Sequence, residues 1–378
     1  MKSHVSALFT DLYELTMIQG YYEYDNNPEV VFDMFFRRQP FGGGFSIFAG
    51  LDDLLDQLED LRFQADEIDY LRSLGIFKES FLEYLETFRF TGNIYAMAEG
   101  SVVFPGEPLI RVHGSLIEAQ LIEGLLLNTI NFQTLIATKS ARVYVASNEG
   151  KVMEFGLRRA QGGDGAMSAS RAAYIGGASA TSNTLAGKRY GIPVRGTMAH
   201  SWIMAFSSEK ESFEKYADLY PDTTVLLIDT YSTLTTGLEA AIEVGQRLKA
   251  KGKQIGVRLD SGDLEYLSKQ VRHRLDEAGL TDATITASNE LNEQIIHQLI
   301  TNGSPIDSWG VGTSMVTGGD AASLTGVYKL ASKTENGTAV ATVKVSNQPA
   351  KTTNPGTKQV YRFRDANGTP LADLVALA

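Results

Sequence analysis

A histidine at the junction between a short apolar run and a predicted helix is the strongest chemical candidate in this chain. The segment Gly196-Thr197-Met198-Ala199-His200-Ser201-Trp202 follows the apolar Ile192–Arg195 and precedes apolar residues at helical spacing. Side chains at such a junction face the carboxyl edge of a sheet, where α/β proteins bind ligands. With five histidines and no cysteine, few side chains can act as nucleophiles or accept a phosphoryl group near neutral pH. We predict that His200 is catalytic; the alternative is a hydrogen-bonded core histidine.

Polar residues also follow the other predicted strands. If these strands are parallel, their carboxyl ends converge on one mouth, where barrel enzymes hold their chemistry. A single Asp or Ser at such a place is equally well explained as a helix cap. Six strand ends with charged or small polar residues favour a common site. The segments are Glu154–Arg159, His200, Asp229-Thr230, Arg258–Asp263, Ser288–Glu290 and Gly310–Ser314.

Two of these segments indicate a kind of ligand. Gly310-x-Gly312-Thr313-Ser314 gives an anion such as phosphate access to backbone N–H groups. Asp260-Ser261-Gly262-Asp263 can place carboxylates on ribose hydroxyls or on the water shell of a divalent metal. The standard nucleotide motifs are not matched: Gly187-Lys188 resembles the end of a P-loop, but Ser182 stands where the first glycine belongs.

Composition narrows the class of protein. A chain of 378 residues can form two or three domains. A net charge of −11 argues against nucleic acid as the main partner. The absence of cysteine excludes disulfides, thiolate catalysis and cysteine-ligated metals. No apolar run reaches the ~18 residues of a membrane span, and the first ten residues lack the regions of a signal peptide. We therefore expect a cytoplasmic enzyme or binding protein.

The elements that position these residues change in character along the chain. Residues 1–90 are predicted to be mostly helical, residues 91–116 to form an antiparallel β module, and residues 116–147 to form one or two long helices. Beyond residue 150, strands alternate with amphipathic helices, which indicates βα units in a parallel sheet or barrel. The predicted strands are Val152–Phe155, Pro193–Gly196, Val225–Ile228, Ile255–Leu259, Thr284–Ala287 and Trp309–Val311.

The tail of the chain returns to β character, at Thr338–Val345 and Gln359–Arg364. Because β-rich pieces flank the βα region on both sides, we expect the two chain ends to pack together. The predicted domains are an N-terminal α+β domain over 1–138, an α/β barrel with the active site over 139–328, and a C-terminal β segment over 329–378 that packs with the N-terminal domain.

Two further segments, Thr10–Tyr13 and Phe35–Arg38, belong with four segments around the strand ends, Glu154–Ala160, Gly196–Ser201, Arg258–Asp263 and Gly310–Ser314. Taken together, these six segments resemble nicotinate phosphoribosyltransferase. They occur in that family's order, and the six in combination are far more specific than any one alone. The resemblance implies an incomplete α/β barrel of the type II phosphoribosyltransferase kind, with an α+β domain formed by the N-terminal region and the C-terminal segment. It implies that nicotinate and 5-phosphoribosyl 1-pyrophosphate are joined to give nicotinate mononucleotide and pyrophosphate, a salvage step of NAD biosynthesis.

The resemblance also implies roles in binding the substrates. Phe155 and Tyr13 would sandwich the pyridine ring, with Ser182 beside it. Arg158 and Arg258 would supply positive charge to the carboxylate or to the phosphates, and which arginine serves which group stays open. In the matching family, the tyrosine comes from the neighbouring subunit, so the expected assembly is a homodimer with a shared active site.

Further matching residues would bind the sugar and its phosphates. Asp260 would hold the ribose, and Asp263 in the same segment is a further candidate for substrate binding. Gly312 with Thr313 would bind the 5′-phosphate. Lys329 and one of the pair Arg37-Arg38 would reach the pyrophosphate, although solvated surface charge is an equal alternative for that pair.

His200 matches the phosphorylated histidine of the family, which implies ATP as a co-substrate. Asp229, one strand over, would accept a proton from the other imidazole nitrogen and orient the ring, or would cap a helix. Mg²⁺ would be carried by the leaving pyrophosphate, with no direct protein ligand. Positioning and electrostatics would supply most of the acceleration.

Three other functions compete with this interpretation. A nicotinamide phosphoribosyltransferase would be expected to carry an aspartate near Ser182, to accept from the amide. A quinolinate phosphoribosyltransferase would lack the histidine segment and would need a more basic pocket. A non-catalytic sugar-phosphate-binding homologue would be expected to lose charged site residues, whereas His200, Asp260 and Arg258 are all present.

Overall fold

The computed structural model describes residues 5–348 and 352–378 and divides into two compact units. One unit comprises Met1–Leu135 together with Ser323–Ala378, and the other comprises Ile136–Ala322. The predicted domain boundaries after residues 138 and 328 fall a few residues later in the chain than these divisions.

The helices are mostly short, apart from α6 with its 24 residues. Over the described ranges, no helix combines the length and apolar character needed to cross a membrane. A π-helical turn at Thr233–Gly237 precedes α11. The helices are α1 (Leu12–Glu23), α2 (Leu51–Glu59), α3 (Ala65–Ser73), α4 (Glu79–Glu86), α5 (Leu116–Leu121), α6 (Glu123–Ala146), α7 (Gly162–Ile175), α8 (Thr184–Tyr190), α9 (His200–Met204), α10 (Glu209–Leu219), α11 (Leu238–Lys249), α12 (Leu264–Glu277), α13 (Glu293–Thr301) and α14 (Thr313–Thr317).

The strands fall into one group before residue 116, a second group in the middle of the chain and a third after residue 325. They are β1 (Glu29–Phe36), β2 (Ser46–Ile47), β3 (Asn93–Ala96), β4 (Val102–Val103), β5 (Ile110–Ser115), β6 (Lys151–Glu154), β7 (Ala180–Thr181), β8 (Val225–Leu227), β9 (Gly256–Leu259), β10 (Thr284–Ala287), β11 (Ser308–Val311), β12 (Gly326–Glu335), β13 (Thr338–Ala341), β14 (Lys358–Arg364) and β15 (Pro370–Leu377).

The unit Ile136–Ala322 is built on a six-stranded sheet in the order β7-β6-β11-β10-β9-β8. All neighbouring strands in it are parallel. Its strands are short apolar runs, and residues such as Val257, Ile285 and Val311 are fully buried, as expected for a parallel sheet that helices cover. The prediction of a mixed α/β fold with a parallel sheet is therefore confirmed.

The strand predicted at Pro193–Gly196 is wrong. Only Val194 pairs there, in a single parallel bridge with Thr181, and the sheet position belongs to the two-residue β7. A strand of two residues is too short to show a periodic pattern in sequence. His200 therefore follows an extended segment beside β7, not a full strand.

The other unit contains a five-stranded sheet in the order β13-β12-β1-β5-β3. β1 lies between β5 and β12 and pairs antiparallel with both. Phe32 of β1 stacks on Tyr328 of β12, with ring centroids 4.6 Å apart. In the same unit, Lys358 of β14 forms a buried ion pair with Asp33 of β1, at 2.6 Å. The sequence pattern missed β2, β12 and β15.

Candidate functional site

A cavity of about 290 Å³ lies where the parallel strands end. A second cavity of about 220 Å³ shares four of its wall residues, Phe155, Arg158, Arg258 and Asp260. We therefore treat the two as one candidate site. The first is also lined by Ser182, His200, Leu157, Leu227 and Gly196–Ala199, and the second by Arg159, Ser288–Glu290, Gly310, Gly312 and Thr313. The other unit holds a larger cavity, of about 370 Å³, whose lining contains none of the predicted site residues.

Arg258, in β9, connects several parts of this site. Its guanidinium donates from Nε to Ser288 Oγ at 2.7 Å, from Nη1 to Thr197 Oγ1 at 2.9 Å, and from Nη2 to Asp260 Oδ1 at 2.8 Å. The same cation lies 5.7 Å from the centre of the Phe155 ring, within the range of cation–π attraction. These contacts fix a positive charge beside an aromatic face and a carboxylate.

The carboxyl group of Asp260 stays ionised near neutral pH. Its burial would raise its pKa, but a hydrogen bond from Ser288 and the charge of Arg258 together hold that pKa below its ordinary value. The site thus contains a negative charge that faces His200, with Asp260 Oδ2 lying 3.7 Å from His200 Nε2.

The imidazole of His200 lies between a hydroxyl and two carboxylates. Its Nδ1 is 3.1 Å from Thr230 Oγ1. Its Nε2 lies on the side of Asp260 and of Asp229, whose Oδ1 is 4.0 Å away. The side chain is 41% exposed, so the ring is accessible from the cavity.

The predicted contact between Asp229 and the ring of His200 needs correction. At 4.0 Å from Nε2, its carboxylate is beyond hydrogen-bond reach, and the hydroxyl of Thr230 occupies the other ring nitrogen. Asp229 Oδ2 instead accepts from the N–H of Asp260, at 3.0 Å, and from the hydroxyl of Ser261. Thr230 directly follows Asp229, but the spacing could not show which of two adjacent side chains would face the ring.

Glu154 is a site-building residue that the sequence did not single out. Its fully buried carboxylate accepts from the hydroxyls of Ser170, at 2.9 Å, and Thr181, and from the N–H of Gly156. These bonds hold both sides of the turn that presents Phe155. Only the quoted segment around Phe155 could have pointed to this carboxylate.

Gly310, in β11, makes room for the Phe155 ring. A Cβ atom at Gly310 would lie 2.6 Å from two carbons of that ring, far inside ordinary carbon–carbon contact. The ring therefore lies directly against the backbone of the neighbouring strand. Nearby, Asn289 lines the second cavity with a φ of 111°, a conformation that Asn tolerates better than most residues.

Asp263 lines neither cavity. It is the N-cap of α12, and its carboxylate accepts from the N–H of Tyr266 at 3.0 Å. Gly312 and Thr313, at the start of α14, do line the second cavity.

Four predicted residues belong to the other unit. One of them is Tyr13, whose hydroxyl donates to Glu14 Oε1 at 3.3 Å. Burial raises the pKa of that Glu14 carboxyl to about 7. Lys329 Nζ lies 3.9 Å from Glu123 Oε1. The four are Tyr13, Lys329, Arg37 and Arg38.

Solved structures with the same fold define the class of protein. Human nicotinic acid phosphoribosyltransferase superposes with a TM-score of 0.84 at 32% identity, covering 98% of this chain and 81% of that one. A nicotinate-nucleotide pyrophosphorylase from Pyrococcus furiosus gives a TM-score of 0.77 at 22% identity, covering 98% and 83%, and supports the fold alone. By fold and site, the chain is a phosphoribosyltransferase.

Sequence comparison specifies the family. The model of the nicotinate phosphoribosyltransferase N-terminal domain matches residues 8–131, and that of the nicotinate phosphoribosyltransferase family matches residues 150–365. The nicotinate phosphoribosyltransferase of Bacillus subtilis (strain 168) is 46% identical over 98% of this chain and 76% of its own length. That of Dictyostelium discoideum is 40% identical over 99% and 72%. The chain belongs to the nicotinate phosphoribosyltransferase family.

Proposed function

We propose that this chain, a nicotinate phosphoribosyltransferase of NAD biosynthesis, joins nicotinate to 5-phosphoribosyl 1-pyrophosphate in the candidate site and couples the reaction to ATP through a phosphohistidine at His200. The observation that carries the proposal is the convergence of Phe155, Arg258, Asp260 and His200 on one cavity. The fold we assign is an incomplete α/β barrel of the type II kind. The end strands β7 and β8 of the parallel sheet do not pair with each other among the described residues, so the sheet stays open, which supports that assignment.

The rate of this reaction depends on positioning of the substrates more than on proton transfer. The pyridine nitrogen forms a bond to the anomeric carbon while the bond from that carbon to the pyrophosphate oxygen breaks, and positive charge develops on the sugar. In our proposal the Phe155 ring holds the pyridine, and the ionised Asp260 holds the ribose and stabilises the charge that develops beside it. Gly312 and Thr313 bind the 5′-phosphate, since both line the second cavity.

Mg²⁺ fits this site through its water shell. Asp229 Oδ1 is buried without a hydrogen-bond partner, and it faces the same ring nitrogen as Asp260. Carboxylate oxygens of this kind suit the waters around a magnesium ion. Among the described residues, no group of three or more acidic or histidine side chains could hold a metal directly. When bound, the ion supplies positive charge to the leaving pyrophosphate.

Nicotinate is the preferred base in this proposal because the cavity around Ser182 contains two cations and one acid. Arg158 and Arg258 line it, and Asp260 is paired with Arg258. A carboxylate is favoured by this balance over an amide. The test is pyrophosphate release from the phosphoribosyl donor and Mg²⁺ with nicotinate, nicotinamide or quinolinate. Equal or faster turnover of either other base would refute the assignment, and no turnover would indicate a non-catalytic homologue.

We also propose a homodimer whose active site Tyr13 completes from the neighbouring subunit. Apolar side chains on and beside α1 support an interface there, since Phe9, Leu12 and Tyr13 are each about half exposed. Mixing inactive Tyr13→Ala and Phe155→Ala proteins under subunit exchange should restore activity. No recovery despite proven exchange would contradict a shared site. Cytoplasmic location stays a prediction.

A further inference from the structure

We infer that Glu14 is a positioning residue for Tyr13, because it holds the phenol hydroxyl and so keeps the half-exposed ring in one orientation at the surface of α1. The contact that carries this inference is the hydrogen bond from the Tyr13 hydroxyl to Glu14 Oε1, at 3.3 Å. Its consequence for nicotinate binding rests on the shared active site proposed above. Its consequence for the ring itself does not.

The two side chains of this pair differ in exposure. Glu14 is fully buried, whereas Tyr13 is 47% exposed. Neighbouring positions on a helix do not face each other, so the formation of α1 does not by itself bring the two groups together. The hydrogen bond ties the outer end of an exposed ring to a carboxyl inside the fold. A tyrosine side chain has two torsions, and holding the ring at both ends restricts both of them.

Glu14 Oε1 accepts this bond whether the carboxyl is ionised or protonated. The other oxygen, Oε2, is hydrogen-bonded to the Thr10 hydroxyl, and Thr10 Oγ1 lies 3.4 Å from the carbonyl oxygen of Leu121. When Glu14 is ionised, the hydroxyl donates to Oε2. When Glu14 is protonated, Oε2 donates to the hydroxyl, which in turn donates to Leu121, since a hydroxyl both donates and accepts. In both states Oε1 is left as an acceptor for Tyr13.

The charges around this hydrogen bond keep its donor protonated. Burial, and after it the charge of Glu123, raise the pKa of the Tyr13 phenol. Burial also raises the pKa of Glu14 to about 7, against the opposing effect of the Thr10 hydrogen bond and with a smaller contribution from Glu123. The titratable and charged groups around Tyr13 and Glu14 are Asp11, Glu123, Tyr328 and, beyond Glu123, Lys329.

The stability of the fold gives no reason for a carboxyl at this position. The pKa of Glu14 rises from 4.5 to about 7 in the folded chain, so folding favours the protonated form. The contribution of Glu14 to stability therefore falls as the pH rises through this range, and above it the ionised carboxyl opposes folding. An apolar side chain of similar size should serve the core at least as well. The acid is better explained by its hold on Tyr13.

The experiment removes the two ends of the hydrogen bond separately and together. Glu14→Met removes the acceptor, Tyr13→Phe removes the donor but keeps the ring, and a double variant lacks both. Glu14→Gln keeps an amide oxygen that accepts. The matched control is Glu107→Met, because Glu107 is also a buried carboxyl whose pKa burial raises to about 7, but it accepts from the N–H of Phe104 at 3.0 Å.

Three properties of each protein are measured. They are KM for nicotinate and for the phosphoribosyl donor, the melting temperature at about pH 8, and the fluorine NMR spectrum after incorporation of fluorotyrosine. The chain has 16 tyrosines, and the signal of Tyr13 is the one that is missing from the spectrum of Tyr13→Phe. The spectrum reports the surroundings of the ring independently of activity.

We expect Glu14→Met and Tyr13→Phe each to raise KM for nicotinate by roughly five-fold, the effect of one lost hydrogen bond, and to raise KM for the phosphoribosyl donor less. The double variant should be no worse than either single variant, because all three lack the same bond. The Tyr13 signal should move in Glu14→Met and return towards its wild-type position in Glu14→Gln. Glu14→Met should melt no lower than the wild type, and Glu107→Met should leave KM for nicotinate and the Tyr13 signal unchanged.

A Tyr13 signal that does not respond to Glu14→Met overturns the inference, as do effects on KM for nicotinate that multiply in the double variant. A lower melting temperature with an unchanged KM for nicotinate would assign Glu14 to stability and also overturn it. If Tyr13→Ala leaves KM for nicotinate unchanged, the shared site is refuted instead, and the fluorine spectra alone decide the role of Glu14. If Glu14→Met does not fold, Glu14→Leu takes its place.

Discussion

Replacing Gly310 by alanine tests whether the Phe155 ring binds the pyridine. The added Cβ would lie 2.6 Å from two ring carbons, whereas carbon atoms rest about 3.5–4.0 Å apart. The ring must therefore move by about 1 Å. It cannot move freely, because the turn that carries Phe155 is tied down by Glu154 on one side and by a hydrogen bond from its own N–H to the Val311 carbonyl on the other.

The expected loss follows from that displacement. Aromatic stacking contributes about 0.5–1.5 kcal/mol beyond buried area, and a misplacement of about 1 Å in a positioned site costs up to about 100-fold in rate. We expect kcat/KM for nicotinate to fall by about 10- to 100-fold, with KM for nicotinate raised more than KM for the phosphoribosyl donor.

The assay is steady-state pyrophosphate release with each substrate varied in turn, beside a thermal melt. Gly163→Ala is the control, because nothing lies within 4 Å of a Cβ at that helical glycine. Overpacking alone costs about 1–3 kcal/mol of stability, so both proteins are assayed well below their melting temperatures. A Gly310→Ala enzyme with wild-type KM for nicotinate would show that the ring does not contact the base.

Three further substitutions test other parts of the structure. Arg258→Gln should raise the pKa of Asp260, which the arginine now helps to lower, so the acid limb of the pH profile of kcat/KM should shift to higher pH; an unshifted limb would contradict the pairing. Lys358→Met leaves the buried Asp33 carboxylate without its cation and should cost about 3–5 kcal/mol in denaturant unfolding. That loss should shrink as pH falls, because the carboxyl, whose pKa burial already raises, takes up a proton; a pH-independent loss would count against it. His200→Ala should lose labelling by ATP but keep slow synthesis, and full ATP coupling in this variant would rule out the phosphohistidine.

Sequence pattern was a good guide to the parallel sheet and a poor one to short or distant pairings. Strands such as β9 and β10 were predicted to within one residue because fully buried parallel strands are continuous apolar runs. β7 was not predicted because a strand of two residues shows no hydrophobic periodicity. The pair between Asp33 and Lys358 escaped because nothing local to either residue indicates a partner so far along the chain.

Within the site, the sequence predicted which segments converge but not which atoms meet. Phe155, Arg258, Asp260 and His200 line one cavity, as the strand-end argument expected. The side chain that meets the His200 imidazole depends on the backbone conformation after β8, because the adjacent side chains of Asp229 and Thr230 point in different directions. In the structure it is Thr230 whose hydroxyl lies beside Nδ1. For Asp263 the structure favours the alternative explanation. Its carboxylate accepts from the N–H of Tyr266 and caps α12, as an Asp at the start of a helix commonly does.

The pairing of β1 with β12 has a consequence for folding during synthesis on the ribosome. β1 ends at Phe36 and its partner begins at Gly326, so at about 5–20 residues per second the first strand waits roughly 15–60 s for its neighbour to be synthesised. Throughout that time it has an open hydrogen-bonding edge, which is a hazard for association with other nascent chains. The uninterrupted segment Ile136–Ala322 emerges in between and has all its strands before β12 appears. The unit Ile136–Ala322 should therefore fold before β1 pairs with β12, and chaperone contact with the nascent chain should be concentrated on β1.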